Sequence, residues 1–113
     1  MVKIEKKPET DFQLIEVTGE IDASSSIELD NALKSASDEY TSILINLEGL
    51  DYISSAGLGV FISYLEDLKK RQIKLVIYGL QEKVKEVFAI LGLQHLMNIA
   101  DTKTEALALL NEA

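Results

Sequence analysis

The chain has 113 residues, 47% of them hydrophobic and 27% charged, enough for one domain with a single core and too few for two. It has no cysteine and one histidine, His95, which excludes disulfides, thiol catalysis and cysteine- or histidine-rich metal centres. Nineteen acids against eleven bases give a net charge of −8, the wrong sign for a protein that grips nucleic-acid backbones.

The bases that do occur, Lys69-Lys70-Arg71 and Lys83/Lys85, are short runs interleaved with acids and read as solvated helix faces. The opening MVKIEKKPETDF has neither the apolar core nor the small-residue cleavage site of a secretory signal. No apolar run approaches the ~20 residues that span a bilayer. A cytoplasmic protein with no membrane insertion and no direct nucleic-acid contact is expected.

FQLIEVTG (12–19) reads as a β-rich strand stopped at Gly19. SSSIELDNALKSASDEY (24–40) reads as a helix, with Ser25 and Glu28 at capping-box spacing and Leu29, Leu33 and Ala36 on one face. SILINL (42–47) is a nearly continuous apolar run, as in a strand covered on both faces. Leu58, Phe61, Ile62, Leu65 and Leu68 follow at i, i+3, i+4, i+7 and i+10 and predict a helix over 56–71. KLVIYG (74–79) returns to strand, and Val84, Val87, Phe88 and Leu91 predict a third helix ending near Gly92. MNIA (97–100) reads as a short edge strand, and KTEALALLNEA (103–113) as a helix capped by Asp101 or Thr102.

Strands 42–47 and 74–78, joined by the helix 56–71, form a βαβ unit and are therefore expected to be parallel, with a right-handed crossover. The strands ahead of the first helix are free to pair antiparallel. The expected architecture is α/β: one domain over 1–113, a small mixed β-sheet of four to five strands, and about four helices packed mainly against it.

INLEGLDYISSAGLGVF (45–61) stands where an apolar strand gives way to an apolar helix. It places Ser54 and Ser55 at a helix N-terminus beyond the carboxyl end of a parallel strand, where ligands of open α/β sheets gather and backbone N–H groups favour anions. One serine serves as an N-cap in the plain reading, a contribution of about 1 kcal/mol. That reading leaves Gly57 and Gly59 unexplained, because glycine near a helix start lowers its stability by up to about 1 kcal/mol against alanine. Something must approach the backbone there, either a neighbouring strand or an outside partner. Cap and functional loop are both open on these grounds, and they are compatible.

Enzymatic readings fail on spacing. Gly57 and Gly59 begin a G-x-G-x-x-G pattern, but its third position is Ile62. The G-x-x-x-x-G-K-[ST] loop is absent, and Ser55 has Ile53 rather than glycine two residues before it, so it is no nucleophile elbow. His95 is the sole candidate histidine base and nothing in the pattern brings it to the strand 42–47; beside Leu93 and Leu96 it reads as an ordinary helix-end residue. No catalytic residue, cofactor or metal site is assigned, and the chain is not expected to be an enzyme.

INLEGLDYISSAGLGVF closely resembles the central motif of STAS domains, in particular bacterial anti-sigma factor antagonists, and TGEID (18–22) resembles that family's G-E-L/I-D element. The order of elements agrees over about residues 10–112. The resemblance implies a phosphoprotein acting in transcription regulation through protein–protein interaction. Its unphosphorylated form would bind an anti-sigma factor, usually a serine kinase of the histidine-kinase-like ATPase fold, and so free a sigma factor. Phosphorylation by that kinase would dissolve the complex, and a PP2C-type phosphatase would reset it. Ser55 aligns with the family's phosphoacceptor and Asp22 with an acid near it, while Ser54 stands where well-known members carry Asp. The implied partner-binding residues are Asp22, Ser54, Ser55, Ala56, Gly57 and Leu58, on a protein expected to be a monomer. The same domain type also serves as a scaffold in stress-signalling complexes and as a regulatory subunit or domain of membrane transporters, the alternative reading. A nucleotide- or lipid-binding protein would instead need a sizeable pocket at the strand ends, which the sequence does not display.

Overall fold

A computed structural model describes residues 2–112; residues 1 and 113, the two ends of the expected domain, lie outside the described residues. The elements run β1 (Val2–Pro8), β2 (Gln13–Ile21), α1 (Ser26–Glu39), β3 (Ser42–Ile53), α2 (Ser55–Lys70), β4 (Lys74–Tyr78), α3 (Glu82–Ile90), a 3-10 turn (Leu93–His95), β5 (Asn98–Ala100) and α4 (Lys103–Leu110). The five strands form one mixed sheet in the order β1-β2-β3-β4-β5. β1 and β2 are an antiparallel hairpin and every later pair is parallel, as expected of strands joined by helical crossovers.

Alternation along the strands divides the core in two. Ile15, Val17, Ile43, Ile45, Leu75 and Ile77 point to one face and pack with Leu29 and Leu33 of α1, Leu58, Phe61 and Leu68 of α2, and Val84 and Phe88 of α3. Leu14, Leu44, Val76 and Tyr78 point to the other, where Ala106 and Leu110 of α4 cover them. The Phe61 and Phe88 rings, 6.1 Å apart and tilted by 56°, join α2 to α3.

Several expectations are corrected. β2 does not stop at Gly19 but continues to Ile21, with Gly19 at φ 99°, and Phe12 falls in the hairpin turn. β3 runs six residues beyond Leu47 because β2 pairs with it as far as Ile21↔Ile53. Its register slips twice on the way: Glu16↔Asn46 is followed by Thr18↔Gly49, and Gly19↔Leu50 by Glu20↔Tyr52, so β3 takes an extra residue each time. Along α2, Ile62 is 45% exposed rather than part of the buried stripe, because one residue beyond Phe61 turns it about 100° off the core-facing line. Leu91 is the C-cap of α3 and exposed; the helix stops there, with Gly92 in the left-handed region at φ 69° as anticipated. α4 ends at Leu110, and of its two candidate caps Thr102 is the one used, accepting from Glu105 N at 3.2 Å.

Candidate functional site

The pairing Ile21↔Ile53 brings two parallel strands to an end side by side, so Asp22 and Ser54 leave the sheet together. Ser54 N donates to Ile21 O at 2.8 Å and fastens the two exits. Each exit begins a helix, and each helix start carries its own cap.

At the first exit the expected Ser25–Glu28 capping box does not form. Ser25 already has helical dihedrals (φ −89°, ψ −8°) and makes no cap bond to the helix N–H groups. The box is displaced three residues upstream: Ser25 N donates to Asp22 Oδ1 at 2.8 Å, and Asp22 N donates to Ser25 Oγ at 2.9 Å. Ser26 N donates to Asp22 O, so the helical turn starts at Asp22 itself. Ser24 Oγ adds a third bond to Asp22 Oδ1 at 2.8 Å. The Ser25 backbone N–H, with the Ser24 and Ser25 hydroxyls, holds the Asp22 carboxyl down to about 2. Asp22 is thus a fixed negative charge at the site.

At the second exit Ser54 is the N-cap. Its backbone is extended (φ −81°, ψ 169°) and its hydroxyl accepts from Gly57 N at 3.2 Å, while Leu58 N donates to Ser54 O at 3.0 Å. Ser54 is half-buried. Ser55, the first helical residue, is exposed, and among the described residues its hydroxyl has no hydrogen-bond partner. The two adjacent serines therefore differ: one hydroxyl is committed to the turn and one is free.

The glycines part in the same way. A Cβ on Gly57 would lie 2.8 Å from Ile21 Cγ2 and 2.8 Å from Ile53 Cγ1, so the ends of β2 and β3 require a bare backbone there. Among the described residues, a Cβ on Gly59 would meet nothing within 4 Å. Of the residues singled out in the sequence, Asp22, Ser55 and Ala56 are exposed around the junction, whereas Gly57 and Leu58 are buried beneath it and act by shaping it.

Two exposed apolar residues that periodicity passed over stand near these elements, Ile27 in the first turn of α1 (62% exposed) and Tyr52 beside Ile53 (49%), together with Ile62 on α2, which periodicity places on the buried stripe. For Ile27 the signal in the sequence is negative, since it falls off the Leu29–Leu33–Ala36 face of its helix. Asp51, also next to the junction, accepts from Gln81 Nε2 at 3.2 Å. The two segments that frame Ser55 are acidic: between Pro8 and Leu68 the chain holds one basic residue, Lys34. His95 precedes β5 and so lies toward the amino ends of the parallel strands, the end opposite Ser55. Ser55 therefore has no histidine base beside it. Ser55 itself is exposed to solvent at the start of α2.

A sequence model of the STAS domain matches residues 2–106. An anti-sigma-B factor antagonist of Listeria monocytogenes is 35% identical over 101 residues, which cover 88% of this chain and 89% of that protein. Among solved structures, an anti-sigma factor antagonist from Mycobacterium paratuberculosis superposes with a TM-score of 0.90 at 18% identity, covering 99% of this chain and 96% of the other. The Bacillus cell fate determinant SpoIIAA in its phosphorylated form gives a TM-score of 0.71 at 22% identity, covering 95% and 98%. These two share the fold.

Proposed function

The chain belongs to the STAS domain family, and from that premise we propose that it is an anti-sigma factor antagonist switched by phosphorylation of Ser55. The unphosphorylated protein binds an anti-sigma factor and releases a sigma factor; the phosphorylated protein does not. The observation that carries the reading is the division of labour at the β3–α2 junction: Ser55 is exposed and its Oγ is unbonded among the described residues, while Ser54 Oγ is tied to Gly57 N.

The partner is a serine kinase in this reading. Ser55 Oγ attacks the γ-phosphorus of ATP, the bond from that phosphorus to the β,γ-bridging oxygen breaks, ADP leaves, and the hydroxyl proton passes to a base of the kinase. The product places roughly −1.5 to −2 charges at the first residue of α2. The unpaired N–H groups and positive dipole end of a helix start tolerate that charge, so the fold survives. The interface does not, because a dianion beside Asp22 must be stripped of water wherever a partner closes over Ser55. A PP2C-type phosphatase hydrolyses the ester and restores the binding form. Asp22, Ser54, Ser55 and Ala56 form the contact surface, held in place by Gly57 and Leu58. Gly59 supports the same face: a glycine that costs a helix about 1 kcal/mol and that no internal atom requires is explained by an outside surface lying against it. The protein works as a cytoplasmic monomer. Among the described residues no helix is long and apolar enough to cross a membrane.

The test is incubation with the cognate anti-sigma kinase and ATP, followed by intact-mass and peptide analysis. One phosphate on Ser55 is expected. Label confined to Ser54, or no label from a kinase that demonstrably binds the protein, would overturn the assignment.

A further inference from the structure

At the other end of α2 the molecule has a different surface. Where α2 ends and β4 and β5 begin, a groove of about 450 Å³ opens between them. Its apolar lining includes Leu68, Ile73, Leu75 and Met97, each more than nine-tenths buried, with Leu96, 66% exposed, as a lip. Among the described residues the polar lining is Lys69, Gln72, Lys74 and Asn98, with no carboxylate, in a chain of net charge −8.

The neighbouring cations are engaged elsewhere. Lys70 pairs with Glu66, Arg71 with Asp67 and Asp38, and Lys74 Nζ donates to the carbonyls of Leu109 and Glu112. Lys69 is exposed at the rim, and among the described residues its ammonium has no ion pair or hydrogen bond. Basic residues complement the negative end of the α2 dipole, but that accounts for the charge and not for an apolar groove beside it. The volume falls in the range of small-molecule sites, and an apolar bed with one free ammonium matches one kind of ligand.

We propose that this groove binds a small amphipathic anion, a carboxylate on an unbranched apolar tail, with the tail on Leu68, Ile73, Leu75 and Met97 and the carboxylate at Lys69 Nζ. The site is separate from Ser55, because the sixteen residues of α2 set the two ends about 22 Å apart. The charge complementarity favours an anion, and a volume of about 450 Å³ suits a small molecule.

The probe is sodium decanoate below its micelle concentration, titrated into the full chain and followed by amide-resolved NMR, with decyltrimethylammonium as the matched cation. Expected are saturable one-to-one binding, shifts at Leu68, Ile73, Leu75 and Met97 but not at Ser55, and at least tenfold weaker binding of the cation. Lys69→Glu and Leu96→Asp, both at exposed positions, should each weaken decanoate at least tenfold, while Ser55→Asp leaves it unchanged. Absence of saturation, equal affinity for the cation, or full binding by Lys69→Glu would overturn the proposal. So would saturation by an acidic, leucine-containing peptide where decanoate fails.

Discussion

Alanine at Gly57 and at Gly59 should shift stability in opposite directions, although the two positions lie two residues apart in one helix. Alanine lowers the free energy of a helical position by up to about 1 kcal/mol relative to glycine, and both variants gain that term. At Gly59 nothing opposes it, because the new Cβ meets no atom within 4 Å. At Gly57 the Cβ arrives 2.8 Å from both Ile21 Cγ2 and Ile53 Cγ1, near the root of each side chain, and both isoleucines are buried at strand ends that pair with each other. Overpacking of that kind costs about 1–3 kcal/mol, so the net loss is about 1 kcal/mol. For a domain of this size 1 kcal/mol corresponds to about 4 °C in Tm. Thermal unfolding followed by circular dichroism should place Gly59→Ala above the wild type and Gly57→Ala below it, with a gap of about 8 °C. If Gly57→Ala were stabilised as much as Gly59→Ala, the ends of β2 and β3 would not be what demands glycine at 57. The second arm is functional: Gly59→Ala should weaken binding to the anti-sigma factor while raising Tm, and unchanged binding would remove the partner as the reason for that glycine.

Ser54→Ala should lose the bond to Gly57 N and about 1 kcal/mol of stability by denaturant titration, whereas Ser54→Asp, which can cap equally well, should stay near the wild type. Asp22 has its carboxyl lowered from 3.8 to about 2, so its contribution is present in full above the unfolded value and is lost as pH falls through the folded one. Stability measured against pH should therefore show the wild type losing its advantage over Asp22→Asn in that window, and parallel curves there would show that the capping box does not hold the charge. Ser55→Asp should unfold at the wild-type temperature yet no longer bind the partner; tight binding by this variant would mean that charge at the junction is not the switch.

The α/β class, the parallel β3–β4 pair and the helix over α2 were legible because each rests on local periodicity or on the length of a connection. SILINL and KLVIYG are continuous apolar runs, and the stripe from Leu58 to Leu68 repeats at helical spacing. The far half of β3 was not legible. EGLDYI opens with Glu48 and Gly49 and holds Asp51, all depleted in strands, and it is strand where residues 18–21 of β2 pair with it, with two extra residues absorbed as bulges. The displaced capping box was hidden for a related reason, since the spacing of Ser25 and Glu28 matches a cap as well as that of Asp22 and Ser25 does. Which one forms depends on where the chain leaves the sheet.

By itself the sequence determined that two serines sit at a strand-to-helix junction in an acidic, cysteine-free domain, and its likeness to a family singled out Ser55. The tertiary structure decided the rest. Ile21 and Ile53 end level, and this brings Asp22 beside the junction, presses Gly57 between two isoleucines and engages Ser54 in the cap. One hydroxyl is left facing solvent. The Ser54 cap is local and was within reach of the sequence, but the contacts of Ile21 with Ile53 and Gly57 join segments some thirty residues apart, and local propensity carries no record of them.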